Sequence, residues 1–366
     1  MNRPTTTAGL HEQLWQAVVA ADEYAAVDLV VQAMDDGVSG EDLLLDVIAR
    51  VQERIGSEWA ADRLTVAQEH AATAINERVV TALSHHRAMR QGKPSRGRVT
   101  VCCVDGEWHA FPARLVAEIL QLRGWQVDYL GAQTPTPHLI AHLHSTNPAA
   151  VLLSGSIPTH LPNAHRAVTA CQATGVPVVA GGRAFGADGR YARVLGADGW
   201  APDARAAAAL LEEGLTRSVT SAGRQALDDL PHLADQEYTM VVQARPRLVR
   251  QTVLDLETRF SAMAGYDDEQ RERTAEDIAH IIDFLATALY VDDAEVFLTF
   301  LTWTAHLLEA RKVPAASLLV GLDILAEQLH DFPRALRILT AGRSALHAMA
   351  AGPPALAEPA AAGADA

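Results

Sequence analysis

The spacing of apolar residues changes twice along this chain, and the changes divide it into three segments. From about residue 9 to 90, apolar positions recur at intervals of three and four, as in Leu14, Val18 and Val19, then Val27, Val30, Val31 and Met34. That is the period of helices with one buried face. Ser39-Gly-Glu-Asp42 offers a helix start ahead of Leu43, Leu44, Leu45 and Ile48. Thr65-Val-Ala-Gln68 has the form of a capping box, in which hydroxyl and amide side chains each satisfy the other residue's backbone N–H. The segment predicts an N-terminal four-helix bundle. The polar, breaker-rich run Gln91-Gly-Lys-Pro-Ser-Arg-Gly-Arg98 predicts a linker after it.

Between 99 and 215 the period shortens. Apolar runs at 99–104, 126–130, 150–153, 176–180 and 199–200 predict short buried strands, and amphipathic stretches at 112–123, 135–144, 161–174 and 188–195 predict helices between them. Gly124, Gly175 and Gly196 stand where helices should end in a left-handed residue. Strand and helix alternation on this scale predicts a central flavodoxin-like domain, a doubly wound parallel sheet.

From 236 to 348 the helical period returns. Ile278, Ile281, Ile282, Leu285 and Leu289 mark one apolar face, and Phe297, Phe300, Leu301, Leu307 and Leu308 another, with further helices at 315–329 and 333–349. Residues 216–235 predict a linker, and the Ala/Pro-rich 351–366 a disordered tail. The fold class is therefore multidomain α and α/β, with a C-terminal all-α domain.

Composition narrows the function. The 366 residues carry a net charge of −15, and no basic stripe breaks that acidity. Nucleic-acid affinity rests on clustered Lys and Arg, so direct DNA binding is not expected. The three cysteines have no zinc spacing, and no signal-peptide core or membrane span is present, so a reducing cytoplasm is the expected location.

The chemistry gathers at strand ends. Glu107-Trp108-His109 follows the first predicted strand, Ser154-Gly-Ser156 the third, and Gly181-Gly182 the fourth, ahead of Phe185. In open α/β sheets ligands bind along that edge. A histidine there is a natural metal ligand, and serines and glycines suit a polar ring approaching closely. Taken singly, each is an ordinary loop feature. Together they resemble the cobalamin-binding domain, whose signature is Asp/Glu-x-His-x-x-Gly, then Ser-x-Leu/Ser/Thr, then Gly-Gly. The resemblance implies that His109 is the lower cobalt ligand, with Glu107 bonding its other nitrogen. It also implies that the displaced nucleotide tail lies in a slot lined by Ser154, Ser156, Gly181 and Gly182. Pro112 departs from the signature's last Gly, although proline suits a first helical turn.

The helical segment ahead of it carries Trp59, then nine residues, then Glu69-His70. Without the neighbouring motifs, Trp59 reads as a core aromatic and Glu69 as a residue favouring the helix dipole. With them, the pattern resembles cobalamin-dependent photoreceptors, in which a helical bundle caps the upper corrin face. That implies adenosylcobalamin as cofactor, with Trp59 packing against the adenosyl group and Glu69 bonding it. Where the best-known photoreceptors place a histidine that captures cobalt after light, this chain has Ala60, leaving His70 or water to replace it. The bundle begins near residue 9, so a winged helix ahead of it is not expected.

The last domain holds His280, Asp283, Tyr290, Asp292, Trp303, His306 and Arg311 among apolar helices. Composition by itself favours a simple dimerisation domain with half-exposed histidines. The order of bundle, cobalamin domain and globin-like helical domain is similar to the photocobilins, light-responsive proteins that bind both adenosylcobalamin and a bilin. That resemblance implies biliverdin or a related bilin, held without a thioether because this domain has no cysteine. Asp283 or Asp292 would bond the pyrrole N–H groups, Arg311 a propionate, and His280, Trp303 or His306 the ring system. The function expected is light sensing rather than enzymatic turnover, through photolysis of the cobalt–carbon bond and a light-dependent homo-oligomer acting on an unidentified partner. The alternatives are a corrinoid methyl carrier of a methyltransferase system, or a cobalamin photosensor whose last domain only dimerises or binds haem.

Overall fold

The structure, a computed structural model, describes residues 7–89, 94–215 and 230–350. It forms two compact units, within residues 1–235 and 236–366. In the first, α1 (Thr7–Val19), α2 (Glu23–Asp35), α3 and α4 (Val66–His85) make the predicted bundle. Helix α3 is one continuous run of Gly40–Asp42, the π-helical Leu43–Ile48 and Ala49–Ala60, and Leu43, Leu44, Val47 and Ile48 are fully buried along it. Both predicted helix starts are present. Ser39 Oγ accepts from Asp42 N at 3.1 Å. Thr65 Oγ1 accepts from Gln68 N at 3.2 Å while Gln68 Oε1 accepts from Thr65 N at 2.9 Å.

The sheet follows as β1 (Arg98–Cys103), α5 (Phe111–Leu122), β2 (Gln126–Gly131), α6 (Thr136–Thr146), β3 (Ala150–Ser154), α7 (Leu161–Ala173), β4 (Val178–Gly181), α8 (Arg190–Val194), β5 (Gly199–Ala201) and α9 (Ala204–Glu213). All strands pair in parallel, in the order β2-β1-β3-β4-β5. The order reverses between β1 and β3, so a crevice is expected at the carboxyl ends of those two strands. Gly124, Gly175 and Gly196 do end helices, with φ of +84°, +80° and +73°. Strand β4 begins at Val178 rather than 176 because Pro177 has no N–H for the ladder, although its carbonyl accepts from Val151 N at 2.9 Å. Helix α9 has no counterpart among the sequence expectations. Its buried residues Ala204, Ala207, Ala208 and Leu211 do recur at helical spacing, but three of the four are alanines, which mark an apolar face weakly, and it is started by Asp203 accepting from Ala206 N at 2.8 Å.

One hydrophobic core unites bundle and sheet, taking in Leu14, Ile48 and Val79 from the helices with Val101, Ile119 and Ala208 from the α/β part. An ion-pair cluster adds to it at the start of α3. Arg205 reaches Glu41 at 3.0 Å, Asp42 at 3.2 Å and both oxygens of Asp46 at 3.1 and 2.7 Å, and Arg123 grips Glu41 at 3.0 and 3.3 Å.

The second unit is all-α: α10 (Glu237–Arg259), α11 (Asp268–Val291), α12 (Glu295–Ala310), α13 (Ala316–Gln328) and α14 (Pro333–Ala350). Helix α10, rich in polar residues and carrying Pro246, had no apolar face marked in the sequence. Buried Glu237 at its start accepts from the N–H groups of Arg334 and Ala335 at 3.0 and 2.9 Å, capping α14. Phe284 and Phe300 stack with centroids 3.9 Å apart between α11 and α12. Most of the expected linkers, and the whole tail at 351–366, fall outside the described residues. Among the described residues no helix is long and apolar enough to cross a membrane.

Candidate functional site

Strands β1 and β3 are still joined where the crevice begins, with Val104 N donating to Ser154 O at 2.8 Å. The chain then turns at Gly106, whose φ is +90° and where a Cβ would lie 3.2 Å from His160 Nδ1. That turn sends Glu107 inward, to 0% exposure. Its oxygens divide four donors between them. Oε1 accepts from the backbone N of His109 at 2.9 Å and from His109 Nδ1 at 2.5 Å, and Oε2 accepts from Ser156 N at 2.8 Å and Ile157 N at 2.9 Å. Burial would push this carboxyl up, but the hydrogen bonds from His109, Ser156 and Ile157 outweigh it and bring the pKa down to about 2. Glu107 is thus a fixed anion that closes the β1 loop onto the β3 loop.

The consequence falls on His109. Because Nδ1 faces an ionised carboxylate, it is the nitrogen that carries a proton, which leaves Nε2 as the ring nitrogen placed to meet a metal. The ring is half-exposed, with 35% of its side-chain surface accessible. The loop is braced further by Gln133 N donating to Glu107 O at 3.1 Å and by Asn163 Nδ2 donating to Asp105 O at 2.8 Å. Asn163, His160 and Ile157 were not foreseen, because they come from a loop and helix some fifty residues away along the chain and nothing local marks them.

Trp108 packs beside His109, and α4 of the bundle lies on its other side. The Trp108 ring lies over that of His109 with centroids 3.9 Å apart, and His70 of α4 lies 6.4 Å from Trp108 on a tilted plane. His70 Nδ1 lies 2.7 Å from Glu69 Oε2. Trp59, partly buried against the core, ends α3 just before the turn into α4. The sheet loop and the first turns of α4 therefore approach each other at Trp108.

The glycines have a different use from the one expected. A Cβ on Gly182, whose φ is +96°, would lie 2.3 Å from Gly155 O, and one on Gly181 would lie 3.1 Å from Ala201 O. Both are demanded by the approach of backbone to backbone between strand ends, rather than by a ligand alone. Ser156 serves through its backbone N–H to Glu107, and Ser154 through its carbonyl. Phe185 is fully buried beneath Gly155, so it supports the serine loop and offers no surface to a cofactor.

In the second unit the expected bilin residues do not assemble. Trp303 and His306 share an open groove of about 390 Å³ with Glu295, Leu298, Thr299 and Thr302, all on one face of α12. No residue of α11 lines it. His280 is exposed, and the Asp283 carboxylate is held by Arg245 at 2.5 and 2.8 Å. Asp292 is paired with Arg334 at 3.0 Å, and Arg311 donates to Leu307 O at the end of its own helix. The acidic groups expected to bond pyrrole N–H groups are thus engaged by arginines, because α10 and α14 pack where the sequence pattern showed only open helix faces.

The sheet and the bundle are each matched by a family model. Residues 97–209 match a B12 binding domain, and residues 10–84 match a second model, also described as a B12 binding domain. The chain is a cobalamin-binding protein. The monomethylamine corrinoid protein of Methanosarcina barkeri is similar in fold, at 19% identity and a TM-score of 0.50, covering 57% of this chain and 99% of that one. A cobalamin-binding protein of Desulfitobacterium hafniense DCB-2 aligns over 56% of this chain and 97% of its own, at 20% identity and a TM-score of 0.31. The methanol:cobalamin methyltransferase complex of Methanosarcina barkeri aligns over 60% and 83%, at 16% identity and a TM-score of 0.30. No curated protein matches the chain.

The residues present fit a cobalamin. Among the described residues no group of three His, Cys, Asp or Glu could hold a metal ion by itself. A single imidazole with Nε2 free suits a cobalt that arrives with its equatorial nitrogens supplied by the corrin. His109 would hold it, with Glu107 fixing the ring.

Proposed function

We propose that this protein is a light sensor that binds adenosylcobalamin between His109 and the bundle. Bound adenosylcobalamin would supply a cobalt–carbon bond that light cleaves. The chain's own residues do the rest. Glu107 holds the proton of His109 on Nδ1 and so keeps Nε2 available as lower ligand. Trp59 and Glu69 would hold the adenosyl group at the bundle, the indole by stacking and the carboxylate by accepting hydroxyl donors. Helices α3 and α4 would hold one arrangement with the ligand bound and relax without it, altering self-association or partner binding, a two-state switch biased by one ligand. Turnover is not required. A bilin held without covalent attachment against the Trp303–His306 face of the second unit would extend absorption toward red light.

The observation that carries the cobalamin part is the buried Glu107 bonded to His109 Nδ1 at 2.5 Å. The light-sensing part is supported by Trp59, Glu69 and His70 standing at adjoining ends of α3 and α4, with His70 beside Trp108. A second reading, a corrinoid methyl carrier, is favoured by the fold likeness to the monomethylamine corrinoid protein.

Absorption spectra of the purified full chain separate these readings. With adenosylcobalamin and biliverdin added in the dark, the light-sensor reading expects a corrin spectrum that green light converts irreversibly, plus a bound red-absorbing band. Light-insensitive corrin bands together with methyl transfer from a methylated corrinoid would overturn it. His109→Ala should give the base-on or water-ligated corrin spectrum, and an unchanged spectrum would remove His109 as lower ligand.

A further inference from the structure

Glu69 is one end of a line of side chains that stitches α4 to α3. Thr73 Oγ1 donates to Glu69 Oε1 at 3.0 Å. Gln52 of α3 donates through Nε2 to Thr73 Oγ1 at 2.8 Å, and Asn76 Nδ2 donates to Gln52 Oε1 at 2.9 Å. Each donor is assigned by its neighbour. Thr73 has a single hydroxyl proton, and the Gln52 amide occupies an acceptor site on the same oxygen, so that proton is directed at Glu69. Gln52 in turn keeps its N–H2 toward Thr73 because its carbonyl is held by Asn76.

The far end of the line is costly. Asn76 is fully buried in the bundle core beside Ile75, Val79 and Val80, and its Oδ1 has no partner. A buried acceptor left unmade is unfavourable, and an aliphatic side chain at that position would pack without it. Stability therefore does not account for Asn76, whereas fixing Gln52 does. At the near end, Thr73 holds Glu69 Oε1, while His70 Nδ1 lies 2.7 Å from Oε2, and both oxygens keep lone pairs for a further donor.

We propose that Gln52, with Thr73 and Asn76, is a positioning residue. It holds the Glu69 carboxylate in the one orientation that receives the hydroxyl donors of an adenosyl group, and so sets the preference of the bundle for an adenosyl over a methyl upper ligand. A methyl group carries no donor and does not sense where the carboxylate points. This rests on the reading of Glu69 as an upper-face residue, and the experiment distinguishes failure of the one from failure of the other.

The full chain is titrated in the dark with adenosylcobalamin and with methylcobalamin, following the corrin spectrum, for Gln52→Leu, Thr73→Val, Thr73→Ser and Glu69→Gln. Gln52→Leu and Thr73→Val should each weaken adenosylcobalamin binding about tenfold, the worth of one well-placed hydrogen bond, while leaving methylcobalamin binding at the wild-type value. Thr73→Ser, which keeps the hydroxyl, should retain the wild-type ratio. Equal losses for both cobalamins, or no loss for either, would reduce the line to packing between helices and overturn the proposal. If Glu69→Gln abolishes the preference while Gln52→Leu and Thr73→Val keep it, the positioning role alone is refuted. If Glu69→Gln also keeps it, Glu69 does not select the upper ligand, and the positioning role falls with that reading. Should Gln52→Leu fail to fold, as a thermal melt without cobalamin would reveal, the Thr73→Val and Thr73→Ser pair decides.

Discussion

Replacing Glu107 by Gln tests the centre of the site with the smallest change of shape. The carboxylate accepts four N–H donors, two on each oxygen. An amide has only one acceptor oxygen, so either the His109 pair or the Ser156–Ile157 pair must face an NH2 group. His109 can yield by moving its proton to Nε2, but the backbone N–H groups cannot. With Glu107 at 0% exposure no water compensates them. Each buried donor left unmade costs about 1–3 kcal/mol, so the cost is about 1–3 kcal/mol if the His109 side loses its backbone bond and about 2–6 kcal/mol if the Ser156–Ile157 side loses both, against the ~5–15 kcal/mol that holds a typical domain together. Urea denaturation of the cobalamin-free chain measures this directly. The same substitution releases the His109 ring, and loss of such an orienting partner lowers metal affinity by about 10- to 100-fold, read from a cobalamin titration. A variant with an unchanged urea midpoint and an unchanged histidine-ligated spectrum would show that Glu107 neither closes the loop nor selects the tautomer.

Three further outcomes are expected. The Glu107 pKa, about 2 in the folded chain against an ordinary 4.5, is depressed, so its contribution is complete above about 4.5 and lost as pH falls toward 2. The stability gap between wild type and Glu107→Gln should therefore be flat at neutral pH and close only in that acid window, and a gap independent of pH would refute the linkage. Gly182→Ala should destabilise the first unit by about 3 kcal/mol or more, since it combines a left-handed φ with a 2.3 Å approach to Gly155 O; a denaturation midpoint matching wild type would contradict this. Arg205→Ala should cost about 1 kcal/mol at low salt and less at high salt, because its partners Glu41, Asp42 and Asp46 are partly solvated. An effect independent of ionic strength would mean that the cluster contributes by packing.

How much of this was legible beforehand depended on how local the cause was. Helix starts at Ser39 and Thr65, helix ends at Gly124, Gly175 and Gly196, and the alternation of strands and helices follow from residues within one or two turns of each other, so they could be read from the chain. Helix α9 was harder to see, because three of the four residues on its buried face are alanines. Nor could the fate of Asp283 and Asp292, since their arginine partners stand 38 and 42 residues away.

At the site the division is the same. The sequence by itself placed Glu107 and His109 two residues apart at the end of a strand, and a residue pair that close can form its hydrogen bond in the loop alone. Only the tertiary structure decided that Glu107 is a buried anion rather than a solvated acid. That required β1 and β3 to be neighbours at the point where the sheet order reverses, so that Ser156 and Ile157 could add their N–H groups to its second oxygen. It also decided that Trp108 stands between His109 and His70, and that Gly182 serves the carbonyl of Gly155. These contacts join residues far apart along the chain, and only the packed core brings them within reach.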